Sequence, residues 1–251
     1  MKAVLLAGGE GSRLRPYTTV LPKPLMPVGN SPIAEIIVKQ LKHYGVTEIT
    51  FAVGYLNHLI ETYFGDGSRW GVRINYLREN QPLGTAGPLT NLADFTEPII
   101  VLNGDILTDL DLSKLYRCHC DNTADITIAT CDKKVNIDLG VLRSDESGAV
   151  VEYIEKPEYS FEVSMGIYVF SPTVLGFISA GVRFDFPDLV DELIKRKRLV
   201  KVYPFSGLWL DIGRDEDYRI AADLMKKNRS RFIPREAVPA GGDSVLGSSS
   251  V

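Results

Sequence analysis

The sequence predicts an α/β fold, a three-layer α/β/α arrangement around a mostly parallel, mixed central sheet. Three observations carry that expectation. Short apolar runs alternate with segments whose apolar residues recur at helical spacing, the pattern of a parallel sheet covered by helices on both faces. The first run, Ala3-Val4-Leu5-Leu6, passes into Ala7-Gly8-Gly9-Glu10-Gly11, a loop rather than a hairpin turn. No Pro-, Gly- or Ser-rich linker divides the chain, so residues 1–233 read as one domain, with 234–251 as a tail expected to lack structure.

Each element has a local reason. After the loop, Ser31 stands as a helix cap and Pro32 as the first helical residue of a segment reaching Leu41, stopped by Gly45. Glu48–Val53 reads as a buried strand, followed by a helix around His58–Phe64, a turn at Gly65-Asp66-Gly67 and a strand at Val72–Tyr76. A helix is expected to begin within Gly84–Leu89, and Pro98–Asn103 is another strand. From about Ala124 the strands shorten: 126–129, 139–142, 150–154 and 164–170. A helix over 187–194, strands at 199–203 and 208–212 and a final helix over 215–227 complete the expectation.

The composition, 45% hydrophobic and 24% charged over 251 residues, is that of a soluble domain. No apolar stretch reaches the roughly 18 residues of a membrane span, and Met1-Lys2 runs straight into the first strand, so we expect a cytoplasmic protein without a membrane partner. A formal charge of −4 argues against nucleic acid as a partner. The one basic run, Lys195 to Arg198, closes a helix, where cations favour the dipole. Cys118, Cys120 and Cys131 show no second ligand pair at zinc spacing and read as reduced thiols. Oligomeric state is not legible, and a homo-oligomer stays compatible with the sequence.

The glycine loop carries the chemistry. Successive N–H groups of such a turn form a concavity for anions, and Ser12, Arg13 and Lys23 add a hydroxyl and two cations. It is neither a P-loop, which requires G-x-x-x-x-G-K-[ST], nor a dinucleotide fingerprint, since the third glycine is absent. Ligands of parallel sheets sit at the carboxyl ends of the strands, which places Gly8 to Arg13 and Asn103-Gly104-Asp105 at one edge. There the carboxylate of Asp105 can meet a divalent cation bound to nucleotide phosphates, and Asp211 in Trp209-Leu210-Asp211-Ile212-Gly213 is a second carboxylate at a strand end.

Leu6-Ala7-Gly8-Gly9-Glu10-Gly11-Ser12-Arg13-Leu14, with Pro22-Lys23-Pro24, resembles the signature loop of the sugar-1-phosphate nucleotidyltransferases, in motifs most like their mannose-1-phosphate guanylyltransferase branch. The resemblance covers residues 1 to about 228. It implies a Rossmann-like catalytic core, without the β-helix domain that some relatives append because no hexapeptide repeat is present. Residues 1–123 would hold the nucleotide and 124–233 the sugar phosphate. The implied reaction joins an NTP and a sugar 1-phosphate into an NDP-sugar with release of pyrophosphate. GTP with a mannose- or heptose-type sugar is the first expectation; uridylyl, cytidylyl or thymidylyl transfer is the alternative.

By the same resemblance Leu6, Ala7, Gly8, Gly9, Gly11, Ser12, Gln81, Gly84 and Thr85 are nucleotide-binding, with Gln81 before Pro82 addressing the base. Arg13, Lys23, Asp105 and Lys156 are catalytic, and Asp105 with Asp211 binds Mg²⁺. Gly140, Glu155, Ser164 and Gly166 border the sugar, although Ser164 and Asp138-Leu139 replace the family's usual asparagine and aromatic neighbours. Two other classes compete: a glycosyltransferase, because Asp109-Leu110-Asp111 is a D-x-D triplet, and a catalytically dead ligand-binding protein on the same fold.

Overall fold

The order of strands in the central sheet follows from which apolar runs can be buried on both faces. In chain order the elements are β1 (Lys2–Ala7), β2 (Pro27–Val28), β3 (Ser31–Pro32), α1 (Ile33–His43), β4 (Glu48–Val53), α2 (Asn57–Phe64), β5 (Arg73–Arg78), β6 (Ile99–Asn103) and β7 (Ile106–Thr108). They continue as α3 (Leu112–Asn122), β8 (Ile126–Asn136), β9 (Val141–Ser144), β10 (Val150–Ile154), β11 (Glu158–Phe170), α4 (Phe186–Lys195), β12 (Val200–Pro204), β13 (Trp209–Asp211) and α5 (Asp215–Phe232). This computed structural model describes residues 1–79, 81, 83–92 and 95–233. Pro82 of the expected base-recognition segment and the tail 234–251 lie outside the described residues.

Seven strands form the main sheet in the order β12-β8-β11-β6-β1-β4-β5. Only β11 runs against its neighbours, pairing antiparallel with β6 and β8, so the sheet is mixed and mostly parallel as expected. Alternate residues of β1 enter opposite cores, because successive side chains of a strand point to opposite faces. Ala3, Leu5 and Ala7 join the core built with α1, α2 and α5, whereas Val4 joins the one under α4. The arrangement is the three-layer, Rossmann-like fold.

Several element boundaries differ from expectation, each for a physical reason. Pro32 is the N-cap of α1 rather than its first residue, and Ser31 does not cap it: its hydroxyl donates to Glu35 Oε1 at 3.0 Å. The helix expected within 84–89 is a five-residue 3₁₀ turn, Gly87–Asn91. β8 and β11 are far longer than their apolar segments, because polar ends pair with each other beyond the core; Lys134 bonds Glu158 at 2.6 Å there. β13 pairs with β7 instead of joining the main sheet. Arg198 of the basic run does more than favour the helix dipole, since it pairs with Asp125 at 2.5 Å. No described helix is long and apolar enough to cross a membrane.

Candidate active site

Register places the strand ends together. Ala7 of β1 is level with Val53 of β4, and Leu6 with Asn103 of β6. The chain then turns over this edge through glycines that let backbones touch. Gly104 N–H donates to Leu6 O at 2.9 Å, and a Cβ on Gly104 would stand 2.8 Å from that oxygen. A Cβ on Gly54 would stand 2.8 Å from Gly8 O. Such separations exclude any side chain, so the edge is a floor of bare backbone.

The glycine loop rises from that floor. Gly11 has φ +63°, a conformation that L side chains seldom adopt, and caps the 3₁₀ turn Ser12–Leu14. The Thr18 hydroxyl donates to Gly11 O at 2.9 Å, and buried Leu14 anchors the turn. Ser12 and Arg13 remain exposed. Among the described residues Arg13 forms no ion pair, and its guanidinium stands about 3.6 Å from the position a Cβ on Gly213 would take. Lys23 opens the next 3₁₀ turn, and its ammonium is hydrogen-bonded to Asp105 Oδ2.

The two carboxylates meet through backbone pairing. Asp211 of β13 is opposite Ile106 of β7, and Ile212 N–H donates to Asp105 O at 3.0 Å. Enclosure by protein, and next the Asp105 charge, raise the Asp211 carboxyl above its ordinary range, against the pull of Lys23 and Arg13. Asp105 Oδ1 is buried without a hydrogen-bond partner. A buried anionic oxygen of this kind costs free energy unless a donor or cation reaches it. Among the described residues no group of three or more His, Cys, Asp or Glu side chains converges. Two carboxylates plus phosphate and water ligands suit Mg²⁺, so this oxygen donor set fits that ion.

Between the loop and the strand ends lies a cleft of about 650 Å³. Every residue expected to bind nucleotide lines it, together with Arg13, Lys23 and Asp105. Glu79, Tyr55, Gly54 and Asn103 line it too and were not anticipated as site residues. The carboxyl-edge rule could have found them, since Gly54-Tyr55 follow β4 and Glu79 follows β5 as Gly8 follows β1. A second chamber of about 390 Å³ shares Thr85 and Asn103 with the cleft and is lined by Ser164, Tyr168 and Phe186. Ser164 is aimed there by an irregularity of β11 at Gly166, whose φ is +72°.

Gly140, Glu155 and Lys156 line neither cavity. They flank the β9–β10 ribbon, where Tyr153 hydroxyl donates to Glu155 Oε2 at 2.5 Å and Lys156 sits at φ +46°. The D-x-D triplet is structural. Asp109 Oδ1 accepts Leu208 N–H at 2.7 Å and the side chain pairs with Arg231, while Asp111 caps α3 by accepting from Ser113 N–H and Lys114 N–H. His119, between the two cysteines, is buried among hydroxyls of Thr127 and Ser171.

A cleft that offers backbone N–H groups, Arg13, Lys23 and Asp105 at the carboxyl edge, with Asp211 close to Asp105 but outside the lining, suits a phosphate-handling α/β protein. The chain belongs to the nucleotidyl transferase family, whose model matches residues 2–228. It is 34% identical over 272 residues to the UTP-glucose-1-phosphate uridylyltransferase of Synechocystis, covering 96% of this chain and 68% of that one. It is also 34% identical over 224 residues to the mannose-1-phosphate guanylyltransferase catalytic subunit beta of Drosophila melanogaster, covering 86% and 60%. The chain thus spans about 60–68% of the length of these curated relatives. Its fold superimposes on HddC from Yersinia pseudotuberculosis complexed with GMP-PN with a TM-score of 0.68 at 25% identity, covering 88% of this chain and 98% of that one.

Proposed function

We propose that this protein transfers a nucleotidyl group from an NTP to a sugar 1-phosphate and releases pyrophosphate. The observation that carries this reading is the shared cleft of the glycine loop, Arg13, Lys23 and Asp105 at the carboxyl edge; membership of the family supports it. In the reaction a sugar-phosphate oxygen attacks the α-phosphorus in line. The bond from that phosphorus to the bridging oxygen breaks, and its electron pair leaves with pyrophosphate. No protein nucleophile is required, so the chain's task is to position two anions and neutralise them.

We assign the backbone N–H groups of Gly8 to Gly11, with Ser12 and Arg13, to the β- and γ-phosphates, and Lys23 to the α-phosphate. Mg²⁺ is the cation we assign to Asp105 and Asp211, where it would offset phosphate charge. On the strength of their motifs alone, Glu155 is assigned to sugar hydroxyls, Lys156 to the sugar phosphate, and Gly140, Ser164 and Gly166 to the sugar's border. GTP with a mannose- or heptose-type sugar 1-phosphate is the pairing we favour, supported by the guanylyltransferase relative; the uridylyltransferase relative supports UTP as the alternative. Mixing four NTPs with several sugar 1-phosphates and following pyrophosphate is the test. Release with a matched pair is expected, and no release with any pair refutes the reading.

A further inference from the structure

We infer that the second chamber receives a methyl group carried by the sugar. This chain then favours a sugar 1-phosphate with a deoxy carbon or an acyl group over its fully hydroxylated counterpart; the inference rests on the nucleotidyl-transfer reading and narrows the acceptor. The chamber, about 390 Å³, lies where β8 and β11 meet the start of α4. Tyr168 of β11 stands directly opposite Ile128 of β8, and opposite residues of an antiparallel pair share a face. Phe186 opens α4, and Val190, one turn further, lies on the same side of that helix. Tyr168 and Phe186 are buried and stacked, their ring centroids 3.8 Å apart. Ile128 and Val190 are only half-buried, so two aliphatic side chains of the lining stay in reach of water.

Thr85 and Asn103 line the nucleotide cleft as well, so a sugar whose 1-phosphate lies in that cleft stands at the mouth of the chamber. Two hydroxyls of the lining are already engaged by the chain itself. Thr85 Oγ1 accepts the Phe186 N–H at 2.7 Å, and Ser164 Oγ donates to the Tyr168 hydroxyl at 3.3 Å. Asp191, the one charged residue of the lining, is exposed to water. A sugar hydroxyl turned toward Ile128 and Val190 therefore gives up its water without gaining a partner, which costs free energy. A methyl group loses no hydrogen bond there and covers aliphatic surface that water otherwise wets. Packed interiors leave few voids larger than a water molecule, so an open apolar chamber beside the cleft is space for part of a ligand.

The test follows pyrophosphate release by the full chain from GTP, UTP, dTTP and CTP with two pairs of acceptors. One pair is D-mannose 1-phosphate and 6-deoxy-D-mannose 1-phosphate, in which a hydroxymethyl group becomes a methyl. The other is D-glucose 1-phosphate and N-acetyl-D-glucosamine 1-phosphate, in which a hydroxyl becomes an acetamido group. In at least one pair the methyl-bearing sugar is expected to show a kcat/KM roughly 10- to 100-fold higher, the range over which an apolar pocket tells one small group from another. The pair that responds identifies which carbon of the sugar faces the chamber. Val190→Thr and Ile128→Thr each place a hydroxyl in the lining, and at least one of them is expected to shrink that preference toward equality. A purely structural effect lowers both sugars of a pair alike and keeps their ratio. Equal use of the two sugars in both pairs, a preference for the hydroxylated sugar in both, or a ratio unchanged in both variants overturns the proposal. The wild-type ratios decide alone where a variant fails a thermal-unfolding check. Release from all four acceptors at similar efficiency removes the chamber's role and leaves nucleotidyl transfer standing, whereas no release from any acceptor with any of the four NTPs removes both.

Discussion

Arg13 and Lys23 carry the same charge in the same cleft, yet the structure predicts that removing them will separate stability from catalysis. Lys23 and Asp105 are only 12% and 19% exposed in their side chains, and Asp105 Oδ1 already has no partner. Lys23→Ala leaves the whole carboxylate uncompensated beside Asp211. Breaking a fully buried ion pair from one side costs about 3–5 kcal/mol, and the residual exposure here lowers that to about 2–4 kcal/mol. For a domain of this size each kcal/mol moves Tm by about 2–4 °C, so a fall of roughly 5–15 °C is expected. Arg13 is exposed and unpaired among the described residues, so Arg13→Ala should stay within about 0.5 kcal/mol of wild type. If both cations stabilise charge that moves onto pyrophosphate in the transition state, each alanine variant should lose on the order of 10²–10³-fold in kcat with less change in KM. Chemical denaturation and steady-state kinetics on the same preparations provide the comparison. Equal destabilisation by the two variants would refute the ion-pair reasoning, and a normal kcat in both would remove the loop from catalysis.

Asp105→Asn and Asp211→Asn should each abolish most turnover while the protein stays folded, and near-normal rates at limiting Mg²⁺ would count against the metal assignment. His119 is neutral and buried, its pKa pushed down to about 4 by burial against the weaker pull of Asp125. Because the folded value lies below the unfolded value of about 6.5, its contribution is present above pH 6.5 and is lost as pH falls toward 4. The loss should be about 2 kcal/mol between pH 7 and pH 5, read from denaturant midpoints, and the same slope in His119→Gln would exclude this residue as its source. Gly104→Ala puts a methyl 2.8 Å from Leu6 O at the cleft floor. It should destabilise by about 1–3 kcal/mol and depress turnover, and a neutral outcome in thermal melts would show that the floor can spread.

What the sequence discloses about the fold is what apolar burial enforces. β1 and β4 were legible because each is a run of apolar residues buried from both sides, and the loop after β1 because glycines are needed where backbones approach to hydrogen-bond distance. The ends of β8 and β11 were not legible. Their pairing is satisfied by backbone and by exposed pairs such as Lys134–Glu158, and a charged exposed strand carries no hydrophobic period. The turn at Gly87–Asn91 carries the signal of an α-helix start, since Pro88 and a following leucine also begin helices; one 3₁₀ turn satisfies the same signal.

The site followed a different logic, in which position on the sheet outweighs residue type. Lys23 and Asp105 are 82 residues apart, and nothing local in either segment states that they touch. A motif could group them, but only the parallel register of β1 with β6 brings the glycine loop and Asp105 to one edge. Glu79 was missed for the complementary reason. Glycines mark the edge in sequence only after β1, β4 and β6, although β5 runs parallel to β4 and ends at the same edge. Applied to all four strands, the rule yields Gly8, Gly54, Glu79 and Gly104 as the first residues beyond the sheet. Three are glycines that let backbones meet. The fourth is a carboxylate that ties the strand end to its surroundings, since its Oε2 accepts the Leu83 N–H at 2.9 Å and its Oε1 faces the glycine loop. Position on the sheet alone thus brings a charged side chain into the lining of the cleft at the one strand end that is not a glycine.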